Sequence, residues 1–161
     1  MEKYVTGLTH KGYHVTDMKE SLRFYCDCLG LQKIFDIHED DGSDWLVYLK
    51  ICDRQFIELF YGSTQKRVIK WPNFKDPKHA PMTEEEVKVL RHEIATHICF
   101  EVPDINACVK RLEEFGYPTV MNVSKGKDHN YETFVQDPDG NLIELMQYMP
   151  DGMQLMDYPQ A

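Results

Sequence analysis

Thr9-His10 followed by Phe56-Ile57-Glu58-Leu59 recurs 86 to 87 residues later as Thr96-His97 followed by Leu142-Ile143-Glu144-Leu145. The His-to-Glu separation is 48 residues in the first copy and 47 in the second, and Val15, Asp17 and Gly30 find counterparts in Val102, Asp104 and Gly116. A chain that repeats itself in this way is expected to fold into two like modules with equivalent residues at pseudo-symmetric positions. Two imidazoles and two carboxylates are then expected to meet at one centre.

His10, Glu58, His97 and Glu144 offer two nitrogen and two oxygen donors, a set suited to a borderline divalent ion such as Ni, Co, Zn, Mn or Fe(II). Four protein ligands on a six-coordinate ion leave two positions for water or for two oxygens of a substrate. A structural zinc site, by contrast, is four-coordinate, closed and usually rich in Cys. A lone strand histidine is ordinarily structural and a lone Glu ordinarily a surface charge. Four equivalent residues inside apolar strand runs favour the metal.

The 161 residues suit one compact domain, or two small modules sharing a core, and the 42% apolar and 12% aromatic content is enough to fill it. No apolar run approaches membrane-spanning length and the opening MEKYVTGLTH lacks a leader's hydrophobic region, so a cytoplasmic location is expected. Cys26, Cys28, Cys52, Cys99 and Cys108 form no CxxC pair, and five is an odd number, so they read as reduced and mostly buried thiols. A formal charge of −9 disfavours nucleic acid and anionic membranes, leaving a small molecule as the expected partner.

Module one is expected over about residues 7–62 and module two over about 95–149, with a connector at 63–94 and a tail at 150–161. Residues 7–15 read as a strand with His10, Gly12 and His14 on one face. Asp17 reads as the N-cap of a helix from Met18 to Leu29 that ends at Gly30, with Leu22, Phe24, Tyr25 and Leu29 as its apolar stripe. Strands follow at Gln32 to Ile37, Trp45 to Ile51 and Gln55 to Phe60. The second copy predicts a strand from Ala95 to Val102, an N-cap at Asp104 and a helix from Ile105 to Phe115. Its remaining strands are expected near Thr119 to Val123, at Tyr131 to Gln136 and at Leu142 to Tyr148, the last two joined by the turn Asp137-Pro138-Asp139-Gly140. In the connector, Trp71-Pro72 and Pro77 precede a helix expected to open at Thr83 with Glu84, Glu85 and Glu86 in its first turn. The tail is expected to pack on a neighbouring surface.

The stretch from His10 through Tyr13-His14-Val15-Thr16-Asp17 to Cys28-Leu29-Gly30, and the ending Thr133-Phe-Val-Gln-Asp-Pro-Asp-Gly-Asn-Leu-Ile-Glu-Leu145, resemble the module start and end of the vicinal-oxygen-chelate superfamily, close to glyoxalase I. The resemblance implies an α+β fold in which two paired βαβββ modules form a curved mixed sheet around a metal site, and a homodimer is the family habit. It implies the ligands His10, Glu58, His97 and Glu144, the four that the repeat selects on its own. A substrate with two neighbouring oxygens would displace two waters, and the metal would stabilise the enediolate formed when a carbon-bound proton leaves. In the glyoxalase pattern a metal-bound Glu takes that proton, which makes Glu144 the first candidate base and Glu58 its counterpart.

Bacterial glyoxalases tend to carry Arg four residues after the first ligand and Asn four after the second, both tied to glutathione; this chain has His14 and Gly62 there. The expected activity is therefore a lyase, isomerase or epimerase on a small hydroxy-carbonyl compound, sugar-derived or otherwise, without glutathione. The alternatives are an Fe(II) dioxygenase, against which the fourth protein ligand argues, and a metal-free drug- or metabolite-sequestering protein of the bleomycin-resistance type.

His14 and Glu101 are equivalent positions, each four residues past a ligand His, and are candidates for substrate contact. Lys125 and Lys127 in the loop Ser124–Asn130 are candidates for holding a substrate carboxylate or phosphate. His38, His79, His92 and His129 read as surface histidines, and Tyr48, Phe60 and Tyr61 as core aromatics.

Overall fold

An Asp cap, a helix and a closing glycine recur in each copy, and the two copies differ by one residue inside that stretch. His10 to Asp17 and His97 to Asp104 both span seven positions, and Gly30 to Glu58 and Gly116 to Glu144 both span 28. Asp17 to Gly30 spans 13, however, against 12 for Asp104 to Gly116. In the computed structural model, which describes residues 7–64 and 97–156, the extra residue has a visible consequence. Helix α1 (Met18–Leu22) continues as a π-helical run, Arg23–Cys28, whereas α2 (Ile105–Phe115) is α-helical throughout. The Leu29 amide donates to the Phe24 carbonyl five positions back, and widening turns in this way is how a helix absorbs a single insertion without losing its caps. The continuous α-helix expected from Met18 to Leu29 is corrected accordingly.

The caps themselves match. Asp17 accepts the Glu20 amide at 3.1 Å and Asp104 the Ala107 amide at 3.0 Å, each satisfying an amide that the helix leaves without a partner. Gly30 and Gly116 take left-handed φ angles of 81° and 86°, the conformation for which glycine carries no Cβ penalty.

The chain divides into two compact units, Met1–Arg67 and Val68–Ala161. In the first, β1 (His10–His14), β2 (Gln32–His38), β3 (Asp44–Cys52) and β4 (Gln55–Phe60) form a sheet in the order β1-β4-β3-β2, with β1 parallel to β4 and the other pairs antiparallel. In the second, β5 (Ile98–Glu101), β6 (Ser124–Lys125), β7 (Tyr131–Gln136) and β8 (Leu142–Gln147) are ordered β5-β8-β7-β6, with β5 parallel to β8. Both are the expected βαβββ modules. Burial alternates along β4: Ile57 and Leu59 are fully buried while Phe56, Glu58 and Phe60 are half-buried, so the Glu lies on the face opposite the core. Val47, Leu49, Phe24 and Tyr25 are likewise fully buried, as are Ile105, Leu112, Val135, Ile143 and Leu145 in the second module. Each such side chain is worth about 1.5–3 kcal/mol on removal from water.

The strand expected near Thr119 to Val123 does not form. Thr119 makes one isolated bridge to Val135, and β6 starts only at Ser124, opposite Glu132. Five positions separate Thr119 from Ser124 and three separate Val135 from Glu132, so two extra residues bulge out and break the ladder. The cysteines are also more open than expected: Cys28 is buried, Cys26 and Cys108 are intermediate, and Cys52 and Cys99 are exposed. Connector residues 65–94, with Trp71, Pro72, Pro77, Thr83, His79 and His92, and also Ala95, Thr96 and tail residues 157–161, lie outside the described residues.

Candidate metal centre

Parallel pairing of the first and last strands of each module sets a His beside a Glu. In module one the register places Gly12 opposite Glu58, and in module two Cys99 opposite Glu144. In both cases the residue two beyond the His faces the Glu. His10 and His97 then sit diagonally across, with Nε2 to Oε2 separations of 3.6 Å for His10 and Glu58 and 2.8 Å for His97 and Glu144. The Glu side chains are the more enclosed partners, 15% and 9% exposed against 45% and 34% for the histidines. Thr9 Oγ1 lies 3.3 Å from His10 Nδ1, and Nε2 is the nitrogen on the Glu58 side.

Two neighbouring ligands on one ion at the usual distance of about 2.1 Å stand roughly 3.0–3.4 Å apart, and the two observed separations straddle that range. The donor types of each pair suit a divalent ion, with the separations just outside that spacing, one on either side. Among the described residues no three or more His, Cys, Asp or Glu side chains cluster as a metal-holding group. What each module carries is one His–Glu pair, here called a half-set.

Two further residues belong to these half-sets. Tyr48, which reads as a core aromatic in the sequence, stands directly opposite Glu58 in β3 and donates its hydroxyl to Glu58 Oε1. That hydrogen bond, ahead of desolvation and the Glu58 charge, pushes the Tyr48 phenol up to about 12. A two-residue turn at Asp53-Arg54 would have put Tyr48 opposite Leu59. The ladder instead shifts between Lys50 and Cys52, with Arg54 at a φ of 62°, and the shift turns Tyr48 to the Glu58 face. Cys99 is the second: the residue as a whole is exposed, yet partial burial of its thiol, then the charge and hydrogen bond of Glu144, push it up to about 12.

His14 and Glu101 end their strands as exposed residues, His14 with its ring 5.1 Å from Phe60. Lys125 is paired with Asp151 at 3.2 Å, while Lys127 is exposed in the loop after β6. His129 contacts Asp151 and His38 contacts Asp44, both at the surface.

The repeat, the two sheets and the doubled His–Glu geometry converge with a family model: residues 7–145 match the Glyoxalase/Bleomycin resistance protein/Dioxygenase superfamily. The chain belongs to that superfamily. Among members of the glyoxalase superfamily, a lactoylglutathione lyase of Pseudomonas putida is 27% identical over 147 residues, covering 88% of this chain and 84% of its own. The crystal structure of a lactoylglutathione lyase from Agrobacterium tumefaciens superposes with a TM-score of 0.58 at 22% identity, covering 90% of this chain and 96% of its own. TnmS3, an antibiotic-binding protein from Streptomyces sp. CB03234, superposes with a TM-score of 0.62 at 16% identity, covering 92% and 100%. At these identities the two structures speak for the glyoxalase fold alone. No helix among the described residues is long and apolar enough to cross a membrane.

Proposed function

We propose that this superfamily member is a metal-dependent lyase or isomerase that removes a proton from the carbon beside a carbonyl in a small hydroxy-carbonyl compound. One ion of the Ni, Co, Zn or Mn group would be held by His10, Glu58, His97 and Glu144. The observation that carries this reading is the twofold recurrence of the same His–Glu pairing, 3.6 and 2.8 Å apart, on strands in the same register. The ion would supply Lewis-acid stabilisation of the negative charge that develops on a substrate oxygen as the proton leaves. Glu144 takes the carbon-bound proton on a carboxylate oxygen and returns it to the neighbouring carbon or the opposite face; Glu58 is its counterpart on the other side. His14 and Glu101, exposed at their strand ends, hydrogen-bond substrate hydroxyls. Lys127 attracts an anionic substituent, joined by Lys125 when it exchanges Asp151 for substrate. A homodimer working in the cytoplasm completes the reading.

Absence of glutathione from the reaction rests on His14 and Gly62. The relatives named lactoylglutathione lyase make it the part most worth testing. Metal-loaded protein incubated in deuterated water with a panel of hydroxy-carbonyl compounds, with and without glutathione, is expected to place deuterium beside the carbonyl without glutathione. Glu144→Gln is expected to lower that exchange by about 10²- to 10⁴-fold. Exchange only when glutathione is added would overturn the substrate assignment and leave the lyase reading standing. Binding without exchange of any compound would favour a sequestering protein.

A further inference from the structure

The two half-sets differ in one hydrogen-bond donor. Tyr48 and Phe134 are equivalent residues, each directly opposite its Glu in the antiparallel ladder. The Tyr48 hydroxyl donates to Glu58 Oε1, which leaves Oε2 as the oxygen facing His10 Nε2. Phe134 has no hydroxyl, and its ring meets the His97 ring edge-on at 5.5 Å. Glu144 is held differently, by His97 Nε2 at 2.8 Å from its Oε2 and by the Cys99 thiol, a weak donor. Tyr48 is itself held: Phe35 stacks on its ring at 4.6 Å, and Phe56 and His10 meet it edge-on at 6.0 and 6.4 Å. Its hydroxyl therefore reaches Glu58 from a ring that packing has already fixed.

We infer that Tyr48 is a positioning residue that tethers Glu58 through its phenol and so presents Oε2, on the His10 side, as a fixed ligand oxygen. The inference rests on the metal reading above. A carboxylate whose second oxygen is already hydrogen-bonded gives up less rotamer freedom on ligation and presents one oxygen in a set direction.

The test is the affinity for Ni(II) alone, measured by competition with a chromophoric chelator, on the wild-type chain and on Tyr48→Phe. Phenylalanine is what the second module carries at this position, so the metal-free variant is expected to keep its thermal midpoint. Loss of an outer partner of a ligand typically weakens metal binding by about 10- to 100-fold, and that loss is expected here, with a shifted visible spectrum of the Co(II)-loaded protein. Unchanged affinity in a wild type that does bind Ni(II) would overturn the tether and leave the metal reading intact. No Ni(II) on the wild type would overturn both. Phe134→Tyr keeps the question open should Tyr48→Phe fold poorly. A phenol placed opposite Glu144 is expected to tighten Ni(II), and unchanged affinity would count against the tether.

Discussion

Cys99 stands opposite Glu144 where Gly12 stands opposite Glu58, and this one side chain converts a difference in sequence into a difference in chemistry. With its thiol pushed up to about 12 by burial and then by Glu144, the reactive thiolate is on the order of 10⁻⁵ of the population at neutral pH. Cys99 is therefore expected to react with a disulfide reagent about 100-fold or more slowly than an ordinary thiol, despite its exposure, with the labelled site located by peptide mass spectrometry. Removing the neighbouring charge lowers the thiol's pKa, so Glu144→Gln is expected to speed that labelling. A fast reaction in the wild type would contradict the described environment. The four repeated His and Glu residues were legible in the sequence because duplication marks them. Cys99 and Tyr48 were not, because neither is repeated: their roles depend on strand register, and for Tyr48 on a bulge that reverses which face it takes.

At the scale of elements, each module's order of strand, helix and three strands was legible from period, caps and turns. What could not be read was where hydrogen-bond ladders slip, as at Thr119 to Ser124, and how the helix of module one absorbs its extra residue. The tail shows the same limit, since its contacts are polar and far apart in sequence. Asn130, fully buried, donates to Gln154 at 2.6 Å and accepts the Met149 amide at 3.0 Å, while the Met153 amide reaches the Asp128 carbonyl at 2.9 Å. Gln154 and Asn130 hydrogen bonds hold the Asp128 carboxyl below its usual range, and Lys125 does the same for Asp151. For carboxylates lowered in the folded state, the stabilisation is present above the unfolded value of about 3.9 and is lost as pH falls through the folded one. Amide protection at Met153 and Leu155, followed by NMR, is thus expected to hold at about pH 6 and to drop below about pH 4. Asp128→Asn is expected to lower it already at neutral pH. Equal protection at both ends of that range would show that these carboxylates do not fasten the tail.

For the whole molecule, duplication explains more than the fold. It delivers two His–Glu pairs with the same register and donor types, one in each module. The −9 charge argues against nucleic acid and anionic membranes as partners, and His14 and Glu101 stand exposed at their strand ends. The central claim is that both half-sets serve one ion, and it is tested most directly by elemental analysis of the purified chain alongside His10→Ala and His97→Ala. About one transition-metal ion per chain in the wild type, lost in both variants, is the predicted result. Full metal retained when either histidine is removed, or none taken up by the wild type after incubation with Ni, Co, Mn and Zn, would contradict it.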